Sequence, residues 1–122
     1  MSRVFRLSEI FHQDDYDNTE DLAIAVAADV LAIPVTHAHV AKTTGADAEA
    51  LTLANGSPGQ VLTIRLAVDG GGTGTLTPAT ATGFTTIAFA DAGDTAVLFY
   101  VDDSAGWRIW SVFGLTAQPT VA

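Results

Sequence analysis

From Leu51 to Gly114 the chain is a succession of short runs in which apolar residues alternate with small or polar ones. Each run is closed by glycine, proline, aspartate or asparagine. A period of two is the signature of a strand with one face covered. Val61 to Val68 is the clearest case: Leu62, Ile64, Leu66 and Val68 point one way, and Val61, Thr63, Arg65 and Ala67 the other. Asp69-Gly70-Gly71-Gly72 stops it. Ala50–Leu53, Thr75–Thr77, Thr85–Phe89, Thr95–Val101 and Trp107–Phe113 read as further strands, and Asp102-Asp103-Ser104-Ala105-Gly106 has hairpin length. Strands recurring at intervals of about 8–12 residues with turn chemistry between them predict an all-β fold. The expected form is a compact antiparallel sandwich or barrel, or a jelly-roll-like domain, with an N-terminal arm.

The first part of the chain is less regular. Residues 1–21 read as the arm and an acidic loop: Arg3 and Arg6 are interspersed with Val4, Phe5, Leu7, Ile10 and Phe11, and Asp14, Asp15, Asp17, Glu20 and Asp21 follow. Clustered charge of one sign marks a solvated segment. From Leu22 to Lys42, alanine permits helix, but Leu22, Ile24 and Val26 alternate with alanine, and Pro34 disfavours a continuous helix. Strands are expected here, with Pro34 on an edge strand or at a bulge. In that reading Ile33, Val35, His37 and His39 share one side of an extended chain. The β-domain then spans residues 22–114, and residues 115–122 form a peripheral tail. A chain of 122 residues fits one such domain.

Charge narrows the function. Fourteen acids face five bases, for a formal charge of −9. That argues against sequence-independent nucleic-acid binding and against docking on anionic lipid. The apolar run from Leu22 to Val35 is too short and too broken by Asp29 and Pro34 to span a bilayer. With no cysteine, disulfides, thiolate zinc sites and thiol catalysis are excluded.

Each cluster that suggests chemistry has a plainer explanation. Asp15, Asp17 and Thr19 have the odd-position spacing of a calcium loop, but Glu20 stands where the tight turn wants glycine and Val26 where a bidentate glutamate belongs. His37 and His39, two apart, would share a strand face, yet a metal needs further ligands and their supporting contacts. Gly70-Gly71-Gly72-Thr73-Gly74 lacks the Lys-Ser/Thr of a phosphate loop. Ser57 is not in a GxSxG elbow. Asp102 and Asp103 adjoin an aromatic hairpin, but neighbours on a strand face opposite ways, which suits a turn better than paired acid chemistry. Trp107 and Trp110, three apart, fall on opposite faces of an ideal strand. One is expected to anchor the core, while the other faces a subunit or a sugar. No catalytic residue, cofactor or metal is expected.

The stretch from Leu51 resembles a module of tailed-bacteriophage virion proteins. The likeness is carried by Leu51-Thr52-Leu53-Ala54-Asn55-Gly56 and Gly59-Gln60-Val61-Leu62-Thr63-Ile64. Thr75-Leu76-Thr77-Pro78, Gly83-Phe84-Thr85-Thr86-Ile87, Gly93-Asp94-Thr95-Ala96-Val97-Leu98 and Gly106-Trp107-Arg108-Ile109 continue it. Similar modules occur in fibres, spikes and capsid-surface proteins. A short acidic chain without a repeated shaft, and with an apolar arm, is most similar to a capsid decoration, or cement, protein. The resemblance implies a non-enzymatic role on the capsid exterior of the virion. It implies the major capsid protein and other copies of the chain, as a homotrimer, for partners, with neither nucleic acid nor membrane involved. Arg3, Phe5, Arg6, Leu7, Ile10 and Phe11 are the expected capsid or subunit interface, and Trp107 or Trp110 an exposed aromatic contact. A tail fibre, spike or other receptor-binding role is the alternative.

Overall fold

The structure, a computed structural model, describes residues 22–122. Ten strands are present among the described residues: β1 (Ala23–Val26), β2 (Ala32–Ile33), β3 (His39–Thr43), β4 (Glu49–Leu53), β5 (Val61–Val68), β6 (Gly74–Pro78), β7 (Ile87–Phe89), β8 (Thr95–Tyr100), β9 (Trp107–Phe113) and β10 (Thr120–Val121). Sheet A has the order β1-β3-β5-β8-β9, and sheet B the order β10-β7-β6-β4-β2. The fold is therefore all-β with two five-stranded layers. Val40, Leu62, Ile64, Leu66, Leu98, Tyr100 and Trp107 from sheet A meet Ile33, Leu51, Leu53, Leu76, Ile87 and Phe89 from sheet B in one core.

The sheets are mixed rather than purely antiparallel. The first six strands alternate between layers, so β1, β3 and β5 pair in parallel, as do β2, β4 and β6. A parallel pair needs a crossover, and here each crossover is a strand of the opposite sheet. This makes a short two-sided coil. Its steps are unequal (Ala23 to His39 to Thr63 in one layer, Ala32 to Thr52 to Thr77 in the other), so no fixed period shows in the sequence. The remaining strands close the coil with antiparallel ladders: β5 with β8, β8 with β9, β6 with β7, and β7 with β10. The segment expected to be a peripheral tail thus supplies an edge strand of sheet B. Pro34 directly follows β2, the opposite edge strand.

The two ends of the coil are closed differently. At the end where β1, β3 and β5 finish, Lys42 points into the core beside Val40, 1% exposed. Its ammonium donates to the carbonyls of Ala27 (2.8 Å) and Val30 (2.6 Å) and pairs with Glu49 Oε1 at 2.8 Å. Glu49 Oε2 accepts the backbone N–H groups of Gly45 and Asp29. Burial alone would raise this carboxyl, but Lys42 and the two N–H donors overcome it and hold it below the usual glutamate value. The Gly70-Gly71-Gly72 run lies directly on the preceding corner: a Cβ on Gly72 would collide with the Asp47 carbonyl. Close backbone approach, not loop freedom, explains that glycine.

The other end has an aromatic plug. Trp107 is fully buried, donates Nε1–H to the Ala54 carbonyl at 2.9 Å, and meets Tyr100 edge to face with centroids 5.1 Å apart. The Tyr100 hydroxyl donates to Asp103. Burial, then that bond and the charges of Asp103 and Asp102, push the Tyr100 hydroxyl up to about 12.

Candidate functional site

In β5, Leu62, Ile64 and Leu66 take the core side, so Thr63 and Arg65 face outward. Register carries this side across sheet A. Val61 lies opposite Phe99, and Phe99 opposite Arg108; Thr63 lies opposite His39 and Val97; Arg65 lies opposite Ala41 and Thr95. The result is an outer face of aromatic, aliphatic and basic residues. Among the described residues the basic side chains are Lys42, Arg65 and Arg108. Lys42 is buried, so both arginines that reach solvent stand on this face. None of the described acids lies in its strands: Glu49 is on sheet B, and Asp29, Asp47, Asp69, Asp91, Asp94, Asp102 and Asp103 are in the corners and turns. Among the described residues, with eight acids against these three bases, this is a pronounced separation.

The face has a prominent aromatic point. The β8–β9 register shifts between Val97 and Leu98: Leu98 pairs with Ile109 but Val97 with Ser111, leaving Trp110 as the extra residue. A bulge bends an edge strand and re-aims a side chain. Trp110 is 68% exposed, and its ring meets Phe99 edge to face at a centroid distance of 6.2 Å. Phe99, Arg108, Ile109 and Trp110 line an open cavity of about 320 Å³. Past the bulge the alternation is inverted, so Val112 packs on the core and Phe113 is half exposed. Val61 is also exposed. Apolar area of this kind beside guanidinium groups is a feature of interaction sites.

His39 stands on the same face. Burial first, and then the Arg65 charge, hold its imidazole below the usual histidine value. His37 does not join it. The chain bends at Val35–Ala38 between β2 in sheet B and β3 in sheet A, so the expected extended run through both histidines is not formed. His37 Nδ1 instead lies 2.9 Å from Thr36 Oγ1. Among the described residues no three or more His, Asp or Glu side chains come together as a metal site.

The expected pairing of one buried and one exposed tryptophan holds, and the structure assigns them. Trp110 is the exposed one. Trp107, also named as an exposed contact, is corrected: it is the start of β9, sealed under Gly56 and hydrogen-bonded to Ala54. Asp102 and Asp103 hold the hairpin turn. Asp102 Oδ1 accepts the N–H groups of Ser104 and Ala105, and Asp103 accepts the Tyr100 hydroxyl. Arg3, Phe5, Arg6, Leu7, Ile10 and Phe11, and the acidic block from Asp14 to Asp21, lie outside the described residues. Sequence reasoning missed Phe99 and Arg108 as partners of Trp110. The available signal was the hairpin itself, which sets β8 against β9. No protein-family model matches the chain, and no curated protein matches it.

Proposed function

We propose that the chain is a non-enzymatic decoration, or cement, protein of a tailed-bacteriophage capsid, which binds the head exterior and clips capsomer junctions. The observation that carries this reading is the outer face of sheet A. Trp110, Phe99, Phe113 and Val61 offer apolar contact there, and Arg65 and Arg108 supply the charge that selects a partner, while none of the described acids lies in the strands of sheet A. Aromatic residues and arginine are the types that dominate binding energy at interfaces. The face stands on a packed core, so little order has to be imposed on binding. The likeness from Leu51 onward to virion modules supports the same reading. The expected interface at Arg3, Phe5, Arg6, Leu7, Ile10 and Phe11 is proposed as a second contact, with the major capsid protein or a neighbouring copy. Three copies around a capsomer junction are proposed as the assembled form, which the mass of the intact protein in solution and its symmetry on particles would test.

Binding of the purified chain to undecorated heads tests the proposal. Trp110→Ala and Arg108→Glu are expected to abolish or strongly weaken binding while the fold is retained, and wild-type binding is expected to weaken as salt is raised. Wild-type failure to bind heads, or full binding by both variants, would overturn the docking face. The alternative role, a receptor-binding component of a tail fibre or spike, is favoured by one observation: an exposed tryptophan beside an arginine over an open cavity is a fitting platform for an acidic sugar. A few copies on the tail, rather than many on the head, would support it.

A further inference from the structure

We propose that Asn55 is a site of spontaneous deamidation, and that its isoaspartyl product unseats the Trp107 plug. Asn55-Gly56 is the one Asn-Gly pair in the chain. It lies in the irregular segment between β4 and β5, where Asn55 is exposed. Among the described residues, neither the Asn55 side chain nor the Gly56 N–H has a hydrogen-bond partner. Asparagine is one of the thermolabile side chains. Here its amide carbon is open to the next backbone nitrogen, and glycine supplies that nitrogen with no Cβ to obstruct the approach.

The reaction consumes only water. The Gly56 nitrogen attacks the side-chain carbonyl carbon of Asn55, gives up its proton and expels ammonia, which closes a five-membered imide. Water then opens one of the two imide C–N bonds. Opening at the side-chain carbonyl leaves aspartate on an unchanged backbone. Opening at the main-chain carbonyl leaves isoaspartate: the backbone now runs through Cβ and is one carbon longer, and the α-carboxylate is free. Because the attacking nitrogen must lose its proton, the conversion speeds up as pH rises.

The place of the added carbon gives the reaction its consequence. Both neighbours of Asn55 are fastened to Trp107. The Ala54 carbonyl accepts the Nε1–H at 2.9 Å. Gly56 lies directly against the ring: a Cβ there would stand 2.8 Å from Trp107 Cζ2 and would collide with Gln60 Oε1. A longer backbone between these two contacts prevents both from keeping their place. Trp107 is fully buried against Tyr100, so a displaced Ala54 leaves an indole N–H without its acceptor inside the core.

The test ages the intact folded chain in mildly alkaline buffer beside the same chain unfolded in guanidinium chloride, and follows tryptic peptide 43–65 by mass. The mass gain of an amide becoming an acid, placed at residue 55 by fragmentation, is expected in the folded chain at a rate within severalfold of the unfolded one. Isoaspartate-specific enzymatic methylation should label the aged chain, and Asn55→Gln should abolish both signals. A folded rate lower by an order of magnitude or more would overturn the site, because the segment would then be closed to the cyclisation. The isoaspartyl fraction, separated by chromatography, is compared with Asn55→Asp, which carries the same charge on an ordinary backbone. The isoaspartyl chain is expected to have the lower denaturation midpoint and the weaker near-ultraviolet dichroism from Tyr100 and Trp107. Equal stability and equal dichroism would overturn the unseating of the plug. Neither readout depends on the docking face.

Discussion

The two sides of sheet A are built from similar residues in opposite settings. The inner side carries Trp107, Tyr100 and Lys42 with every polar atom of the aromatic pair engaged: Trp107 on the Ala54 carbonyl, Tyr100 on Asp103. The outer side carries Trp110, Phe99, Arg65 and Arg108, with Trp110 mostly in solvent. A tryptophan three residues from another is thus a buried plug in one case and a solvent-exposed ring in the other. The residue types alone do not decide which side is buried. Alternation along the strand does, and a single bulge at Trp110 sets which side the later residues of β9 take.

The sharpest contrast between the sides is expected from truncating the plug. Trp107→Ala removes a fully buried ring and leaves the Ala54 carbonyl without its donor. It should cost about 3–5 kcal/mol in chemical denaturation, and a loss under about 1 kcal/mol would break the contrast.

The buried ion pair should come next. Lys42→Met strands the Glu49 carboxylate and the carbonyls of Ala27 and Val30, at a cost of about 3 kcal/mol by the usual penalty for breaking such a pair. Adding Glu49→Gln keeps an acceptor for the Gly45 and Asp29 N–H groups while removing the lone charge, so the double variant should recover part of the loss. A double variant less stable than Lys42→Met would contradict the pairing.

The core should also respond to both extremes of pH. Glu49 is held below its ordinary value, so the folded state binds this proton more weakly than the unfolded chain. Its stabilising contribution is present above the unfolded glutamate value and is lost as pH falls through the folded one. Tyr100 runs the other way. With its hydroxyl pushed up to about 12 from 10.0, its contribution is complete below the unfolded value and disappears as pH rises through the folded one. Denaturation midpoints measured against pH should fall at both ends, and Glu49→Gln and Tyr100→Phe should each flatten one end only.

The smallest effect on stability is expected on the outer side. Trp110→Ala should change unfolding by no more than about 0.5 kcal/mol, as for an ordinary surface site, while removing docking. A large loss of stability would mean that Trp110 belongs to the fold and not to a contact surface.

How much of this was legible depended on whether the controlling contact was local. Alternation from Val61 to Val68 revealed both sides of β5, including Arg65 outward. The same parity, applied to His39-Val40-Ala41-Lys42 and to Glu49-Ala50-Leu51, places Lys42 and Glu49 inward with Val40 and Leu51, a signal available in the sequence and easily discounted because both are charged. Parallel pairing was not legible. It joins strands from successive turns of the coil whose corners differ in length, and no residue pattern within a strand names its neighbour. The reversal at Trp110 was hidden for a related reason: a bulge is a property of the β8–β9 pair, and β9 read alone puts Ser111 and Phe113 with Trp107.

The most direct test of the docking role is a cryo-electron microscopy reconstruction of tailed-phage heads incubated with the purified chain. The docking reading predicts many copies on the head exterior at capsomer junctions, each with the outer face of sheet A, Trp110 and Arg108 included, buried against the capsid. Heads without the chain, or copies bound with that face open to solvent, would contradict it.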